Sequence, residues 1–285
     1  MNFDLNLVGN LVLDRICELE APLRSNASNA CAAMHENTGG IGNLVRALAG
    51  RGLQLHVDAW VGQDMAGAFV QQALEEMPGV TTSVKALEEH ATSAAVIVVD
   101  RARAERTSLV RWGACRAIDA FTPVASRWTH ISYLDTLDGL TPEALEGLRA
   151  RTATLSVDLC RSDHTPAEKQ RLLRRLALVD HAIVADVEAE SLTGARGAEA
   201  ARALGAVVGR SAIVHAPGGS FASDGRQLVA FSAATPLTGL NPLGAGDRFC
   251  AALIAELLAS GGPLPAPEHL AHCHAETTAF LKSRT

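Results

Sequence analysis

From residue 129 onward the chain alternates short apolar runs with amphipathic stretches. Residues 129–134, 153–159, 181–185 and 212–216 read as strands, and the intervening segments fit helices. Consecutive strands joined through a helix run parallel, and a parallel sheet needs cover on both faces. This alternation limits the chain to an α/β fold, with a mostly parallel central sheet flanked by helices. The helix starts carry matching signals: Thr141-Pro142 reads as N-cap and first turn, and Thr165-Pro166-Ala167-Glu168 as a capping box. No linker, composition break or internal repeat divides the 285 residues, so the expectation is a single domain over 1–285. A hydrophobic content of 48% supports a sizeable core.

In the N-terminal half, residues 3–8 read as a first strand ending in a tight turn at Gly9. Residues 19–38 are polar with little periodicity, which reads as an irregular loop or part of a lid. Residues 55–61 form a buried-type strand, followed by Gly62-Gln63-Asp64-Met65-Ala66-Gly67 and a helix through Met77. We read that run as structural turn chemistry. Residues 93–99 and 106–111 are strand-like and joined by the charged turn 100–105. Such a hairpin projecting from an α/β core is expected to act as a lid. Lid segments are therefore expected near 10–38 and 91–115.

Composition removes several function classes. A net charge of −6, with charges mixed along the chain and no basic block, argues against a nucleic-acid partner. No apolar run reaches the length needed to span a bilayer, and Met1-Asn2-Phe3-Asp4 carries no basic n-region. The expectation is a cytoplasmic protein with no membrane partner. Six cysteines occur without a C-x-x-C pair and read as buried free thiols. His269, His272 and His274 flank Cys273 on an expected C-terminal helix where 272 and 274 face different ways, which argues against a metal there. Lysine occurs only at 85, 169 and 282, and G-x-x-x-x-G-K-[ST] is absent, so any phosphate must be held by backbone and arginine. No G-x-G-x-x-G follows the first strand, which disfavours a nicotinamide-dependent oxidoreductase.

The chemistry concentrates at Asn241-Pro242-Leu243-Gly244-Ala245-Gly246-Asp247, directly before a helical run with apolar residues at 250, 253, 254, 257 and 258 on one face. Two glycines around an alanine let backbone N–H groups approach a ligand closely. A helix N-terminus adds unpaired donors and the positive end of its dipole. This is an anion hole. A carboxylate at its mouth would repel the anion, but it makes sense as a general base for a hydroxyl that attacks a phosphate.

Gly244-Ala245-Gly246-Asp247 opening a long helix near the C-terminus resembles the signature of the ribokinase, or PfkB-type, small-molecule kinases; Asn241 and Pro242 depart from that signature. Gly9 followed by Asp14 resembles the family's opening segment, and Gly39-Gly40-Ile41-Gly42-Asn43 is similar to its first glycine signature. Ala185-Asp186-Val187-Glu188 resembles its Asn-x-x-Glu segment, with Ala185 in place of the Asn. Residues 213–220 stand where the family has its nucleotide loop.

The resemblance implies a ribokinase-like fold with a small β-lid. It also implies transfer of the γ-phosphoryl of ATP to a hydroxyl of a sugar or nucleoside-like substrate, with Mg2+. Asp247 is then the base, and the amides of Gly244, Ala245 and Gly246 hold the phosphoryl group. Asp14, Gly39, Gly40, Asn43 and Arg106 contact substrate. Gly218, Gly219 and Asn241 serve the nucleotide, and Glu188 reaches Mg2+ through water. Arg103 and Arg106 are the basic residues available for a phosphorylated substrate. The hairpin is expected to cross the active site and to serve as a homodimer contact. Because Ala185 and the altered 213–219 loop both fall on the nucleotide half, the alternative is a regulatory ligand-binding protein on a kinase scaffold.

Overall fold

The computed structural model describes residues 3–100, 102–103, 105–118, 122–233 and 241–283. In chain order its elements are β1 (Phe3–Leu19), β2 (Cys31–Gly40), α1 (Ile41–Leu48), β3 (Leu55–Gly62), α2 (Met65–Glu75), β4 (Val80–Leu87), β5 (Ser93–Asp100), β6 (Glu105–Arg111), β7 (Ser126–Ser132), α3 (Pro142–Arg149) and β8 (Thr152–Asp158). There follow α4 (Pro166–Leu176), β9 (His181–Ala185), α5 (Asp186–Thr193), α6 (Gly197–Gly205), β10 (Ser211–Ala216), β11 (Gly219–Ser223), β12 (Leu228–Ser232), α7 (Ala245–Ser260) and α8 (Pro267–Lys282).

The main sheet has the order β12-β11-β10-β9-β8-β7-β1-β3-β4. Neighbours from β10 through to β4 run parallel, and β11 and β12 close that edge antiparallel. Helices cover both faces, as a parallel sheet requires. On one side α1, α2, α7 and α8 bury Leu44, Leu74, Leu253 and Leu270 against Leu5, Leu7 and Val57. On the other, α3, α4, α5 and α6 bury Leu145, Leu172, Ala189 and Leu204 against Val8, Leu155 and Val184. The expected helix starts are present: Thr141 caps α3 at 3.3 Å, and Thr165 and Glu168 form the reciprocal box of α4.

The first strand differs from the sequence expectation. It does not end at Gly9 but continues to Leu19. A side chain at Gly9 would meet Ile41 and Ser132 at 3.0–3.1 Å. The glycine thus marks close packing between strands rather than a turn. Residues 3–10 of β1 pair with β3 and β7 in the main sheet, and residues 11–19 pair with β2 and β5 in a smaller one. The segment 19–38 is likewise not wholly irregular, because Cys31–Gly40 forms β2, antiparallel to β1. Its Ala32, Ala33, Met34, His35 and Glu36 are all exposed, so the strand shows no apolar face in the sequence. The β5–β6 hairpin expected from the sequence completes the small sheet, although Arg101 and Ala104 of its charged turn lie outside the described residues.

Gly40 joins β2 to α1 at φ +57°, and an added Cβ would stand 2.1 Å from the Asn10 carbonyl oxygen, which cannot retreat without breaking the β1 ladder. Left-handed backbone and a backbone clash both disfavour any larger residue. Gly40→Ala is therefore expected to destabilise the chain by more than about 2 kcal/mol, read as a lowered urea midpoint at unchanged slope.

Candidate functional site

The site forms outside the carboxyl ends of β1, β7, β8, β9 and β10, where an open parallel sheet leaves a crevice. Gly244, at φ +78°, caps α7 and turns the chain into it. The Ala245 N–H donates to Pro242 O at 3.1 Å, and Arg248 closes the first helical turn onto Gly244 O at 3.0 Å. Gly246 and Asp247 thus sit in the first turn, with N–H groups that have no partner within the helix. An added Cβ at Gly246 meets nothing nearer than His215 Cε1 at 3.7 Å.

Asp247 is held from two sides. The Tyr133 hydroxyl donates to Oδ1 at 3.1 Å, and Asn43 Nδ2 donates to Oδ2 at 3.2 Å. Burial pushes its carboxyl up to about 7, with the Asp158 and Asp14 charges adding to the rise and the two donors opposing it. Asn43 is itself fixed by Arg46, which donates to its Oδ1 at 3.1 Å and to Thr38 Oγ1 at 2.5 Å. Tyr133 has a left-handed backbone, φ +60°, which is strained for a tyrosine. Its N–H donates to Asp158 Oδ1, so one residue bridges the two carboxylates. Burial and Asp247 raise the phenol well above its ordinary range, which keeps it a donor.

Two cavities meet at Gly244. The smaller, about 280 Å³, is lined by Asp14, Asn37, Asn43, Arg46 and Leu243 among others. Asp14 is buried at 7% exposure. Burial pushes its carboxyl up to about 6 against the pull of Arg46 and Arg106. Gly39 lies directly beneath it, and a Cβ there would overlap the Asp14 carboxylate at 2.1 Å. The larger cavity, about 490 Å³, takes in Asp247, Tyr133, Asp158, Glu188, Arg106 and His215. Glu188 accepts from the Ala185 N–H at 2.8 Å. Burial, with Asp135, Asp158 and Asp247 nearby, raises its carboxyl well above the usual range.

The structure thus brings together Asp14, Gly39, Gly40, Asn43, Glu188, Gly244, Ala245, Gly246, Asp247 and Arg106. Arg103 instead folds back on Asp100, its N–H donating to Oδ1 at 3.1 Å. Pro217 and Gly218 form the β10–β11 turn and Gly219 opens β11, while His215, Ala216 and Pro217 line the cavity. Asn241 accepts from the Leu243 N–H at 3.1 Å and shapes the approach to α7. Asp64 caps α2, accepting from Gly67 at 2.8 Å and Thr92 Oγ1 at 2.6 Å, which is the structural role expected of it. Sequence reading missed Tyr133 and Asp158. Both stand at the carboxyl ends of parallel strands, and that position was the signal that would have found them.

The model of the pfkB family carbohydrate kinases matches residues 3–275. The chain belongs to the pfkB family. No curated protein sequence matches it. Among solved structures, adenosine kinase from Sinorhizobium meliloti superposes with a TM-score of 0.79 at 18% identity, covering 99% of this chain and 94% of that one. An Arabidopsis thaliana ribokinase complexed with ribose and ATP gives 0.76 at 17% identity, over 99% and 93% of the two chains. A nucleoside kinase from Methanocaldococcus jannaschii gives 0.71 at 17%, over 99% and 93%. The fold is ribokinase-like, as the sequence resemblance implied. Among the described residues no helix is long and apolar enough to cross a membrane.

The raised Asp247 carboxyl has a consequence for stability in this pfkB member. In the unfolded chain an aspartate titrates near about 3.9. Between that value and about 7 the folded state keeps a proton that the unfolded state has lost, so stability falls as pH climbs through this window and stays low above it. Asparagine cannot ionise. Asp247→Asn is expected to melt above wild type at about pH 8, with the gain shrinking below 7 and gone near 4, as followed by thermal denaturation across that range.

Proposed function

We propose that this chain is an ATP-dependent kinase that phosphorylates a hydroxyl of a sugar or nucleoside-like substrate. The observation that carries this reading is Asp247, a carboxylate at the first turn of α7, where the two cavities meet, with its pKa pushed up to about 7. A base is most effective when its pKa lies near the working pH. Asp14 and Asn43 offer hydroxyl partners in the smaller cavity, and Gly39 and Gly40 bring β2 close beneath them. ATP belongs in the larger cavity. There the Gly244-Ala245-Gly246 turn and the first-turn N–H groups of α7 face its phosphates, Arg106 serves the substrate beside Asp14, and the β10–β11 side with Gly218 and Gly219 lies toward the nucleotide base. Asn241 supports the turn.

The donor set also fits Mg2+. Glu188, its carboxylate held by the Ala185 N–H, is an oxygen donor placed to reach Mg2+ through water, and a divalent cation there would relieve its repulsion with the nearby Asp158 and Asp247 charges. A Mg2+ ion held there would supply positive charge against the charge that develops on the phosphates. Asp247 takes the hydroxyl proton while Tyr133 and Asn43 keep its oxygens aimed. Segments 10–38 and 91–115 act as the lid that excludes water, carrying Arg106 over the site. The outer face of the small sheet exposes Met34, Val96 and Leu109, and there we place a homodimer contact. Leu109→Asp is expected to convert such a dimer to monomer in sedimentation.

The test is ATP consumption with Mg2+ across sugars, sugar acids and nucleosides. One compound should turn over, and Asp247→Asn should lower its rate by about 10²–10⁴-fold. For wild type, kcat/KM should fall about tenfold per pH unit below an inflection near 7. Gly246→Ala, which meets no protein atom closer than 3.7 Å, should keep its melting temperature and lose turnover. If nothing is phosphorylated while one compound still raises the melting temperature, the ligand-binding reading replaces this one.

A further inference from the structure

Behind the larger cavity, His130 from β7, Asp158 from the end of β8 and Cys250 from α7 converge, each no more than 7% exposed. One ligand atom from each lies within 4.8 Å of the other two. His130 Nε2 stands 3.4 Å from Asp158 Oδ2 and 3.7 Å from Cys250 Sγ. The first distance is longer than an ordinary N–H···O bond. Both match the edges of a tetrahedron. Zinc bonds of about 2.1 Å to nitrogen and oxygen and about 2.3 Å to sulfur place such ligands about 3.4 and 3.6 Å apart.

The surroundings also suit a metal ligand. His130 Nδ1 lies 2.8 Å from Ser156 Oγ, and Trp128 Nε1 donates to the same oxygen at 2.6 Å. A hydroxyl oxygen accepts two bonds, so Nδ1–H can donate to Ser156 and leave the Nε2 lone pair free for an ion. Asp158 and Cys250 both border the larger cavity, which supplies the entry path and room for a fourth ligand.

We propose that His130, Asp158 and Cys250 form a binding site for a thiophilic divalent ion of the Zn2+ class, separate from Glu188, the oxygen donor assigned to Mg2+. A nitrogen, an oxygen and a sulfur are the donors that borderline-soft ions prefer and that Mg2+ avoids. On binding, the Cys250 S–H bond breaks and its proton leaves to solvent as the sulfur–metal bond forms. No atom changes oxidation state. A divalent ion with one thiolate and one carboxylate is neutral overall, as a buried site requires.

Co2+ titration of the full chain in a phosphine reductant, without ATP, tests this. One equivalent should give a thiolate-to-cobalt charge-transfer band with the intense visible bands of four-coordinate Co2+, and Zn2+ should displace it. Cys250→Ser should abolish the charge-transfer band. Ser156→Ala, which touches no ligand atom, should weaken binding by about 10–100-fold. Excess Mg2+ should leave the spectrum unchanged. A titration with no thiolate band overturns the proposal, as does loss of the band to Mg2+. So does a band that survives in Cys250→Ser, which would move the thiolate to Cys17 or Cys31 of the small sheet. None of these readouts involves ATP or an acceptor, so their failure leaves the kinase reading standing.

Discussion

Everything at this site depends on one strand serving two sheets. Residues 3–10 of β1 are held in the core between β3 and β7, and residues 11–19 carry the same strand out between β2 and β5. The backbone is buried without interruption from Leu5 to Asp14, so its hydrogen bonds must be met on both sides all along. The small sheet meets them past residue 10, which fixes where it stands. It also fixes Asp14, which lies just beyond the branch and lines the smaller cavity. Val12 and Ile16 of β1 meet Ala95, Ile97 and Val99 of β5, and Leu243 from before α7 joins them. An apolar seam thus ties the small sheet to the turn that presents Asp247.

Four carboxylates gather in the crevice this creates. Asp14, Asp247 and Glu188 all have raised pKa values, with burial first among the causes, and Asp158 adds to the rise at Asp247 and Glu188. No lysine is at hand, and Arg46 answers mainly Asp14 and Asn43. Packing would not favour such a set, since each charge raises the free energy of the next. A cluster that packing disfavours is the kind of arrangement found at functional sites, and the same crowding contributes to the rise of the Asp247 carboxyl to about 7. The strained backbone of Tyr133 belongs to the same arrangement: in that conformation its N–H donates to Asp158 and its hydroxyl to Asp247.

The parallel core was legible in the sequence because buried strands between capped helices leave an unambiguous period, as at 153–159 before Thr165-Pro166. The Gly244–Asp247 turn was legible because glycine, carboxylate and helix start coincide. The second half of β1 was not, because Gly9 signals a turn by composition while here it serves close packing against Ser132. Nor was β2, whose exposed centre alternates nothing. Its reason for being a strand lies in its partner β1, which local pattern does not encode. Tyr133 and Asp158 escaped for a related reason: what makes them part of the site is the end of the strand they occupy, a property of topology rather than of motif.

The glycines around the crevice separate what the fold demands from what a ligand would demand. Gly39 and Gly40 are required by the protein alone, since a methyl group would strike Asp14 or the Asn10 carbonyl. Gly244 is required by its left-handed backbone. Gly246 has neither reason, because its φ is ordinary and the space above it is open as far as His215. In a helix interior or first turn such a glycine only lowers helix propensity relative to alanine. A residue that is unfavourable locally and unconstrained by packing needs a cause outside the protein. The open space above it is part of the larger cavity, into which the first-turn N–H groups of α7 can reach an anion only if no side chain stands between.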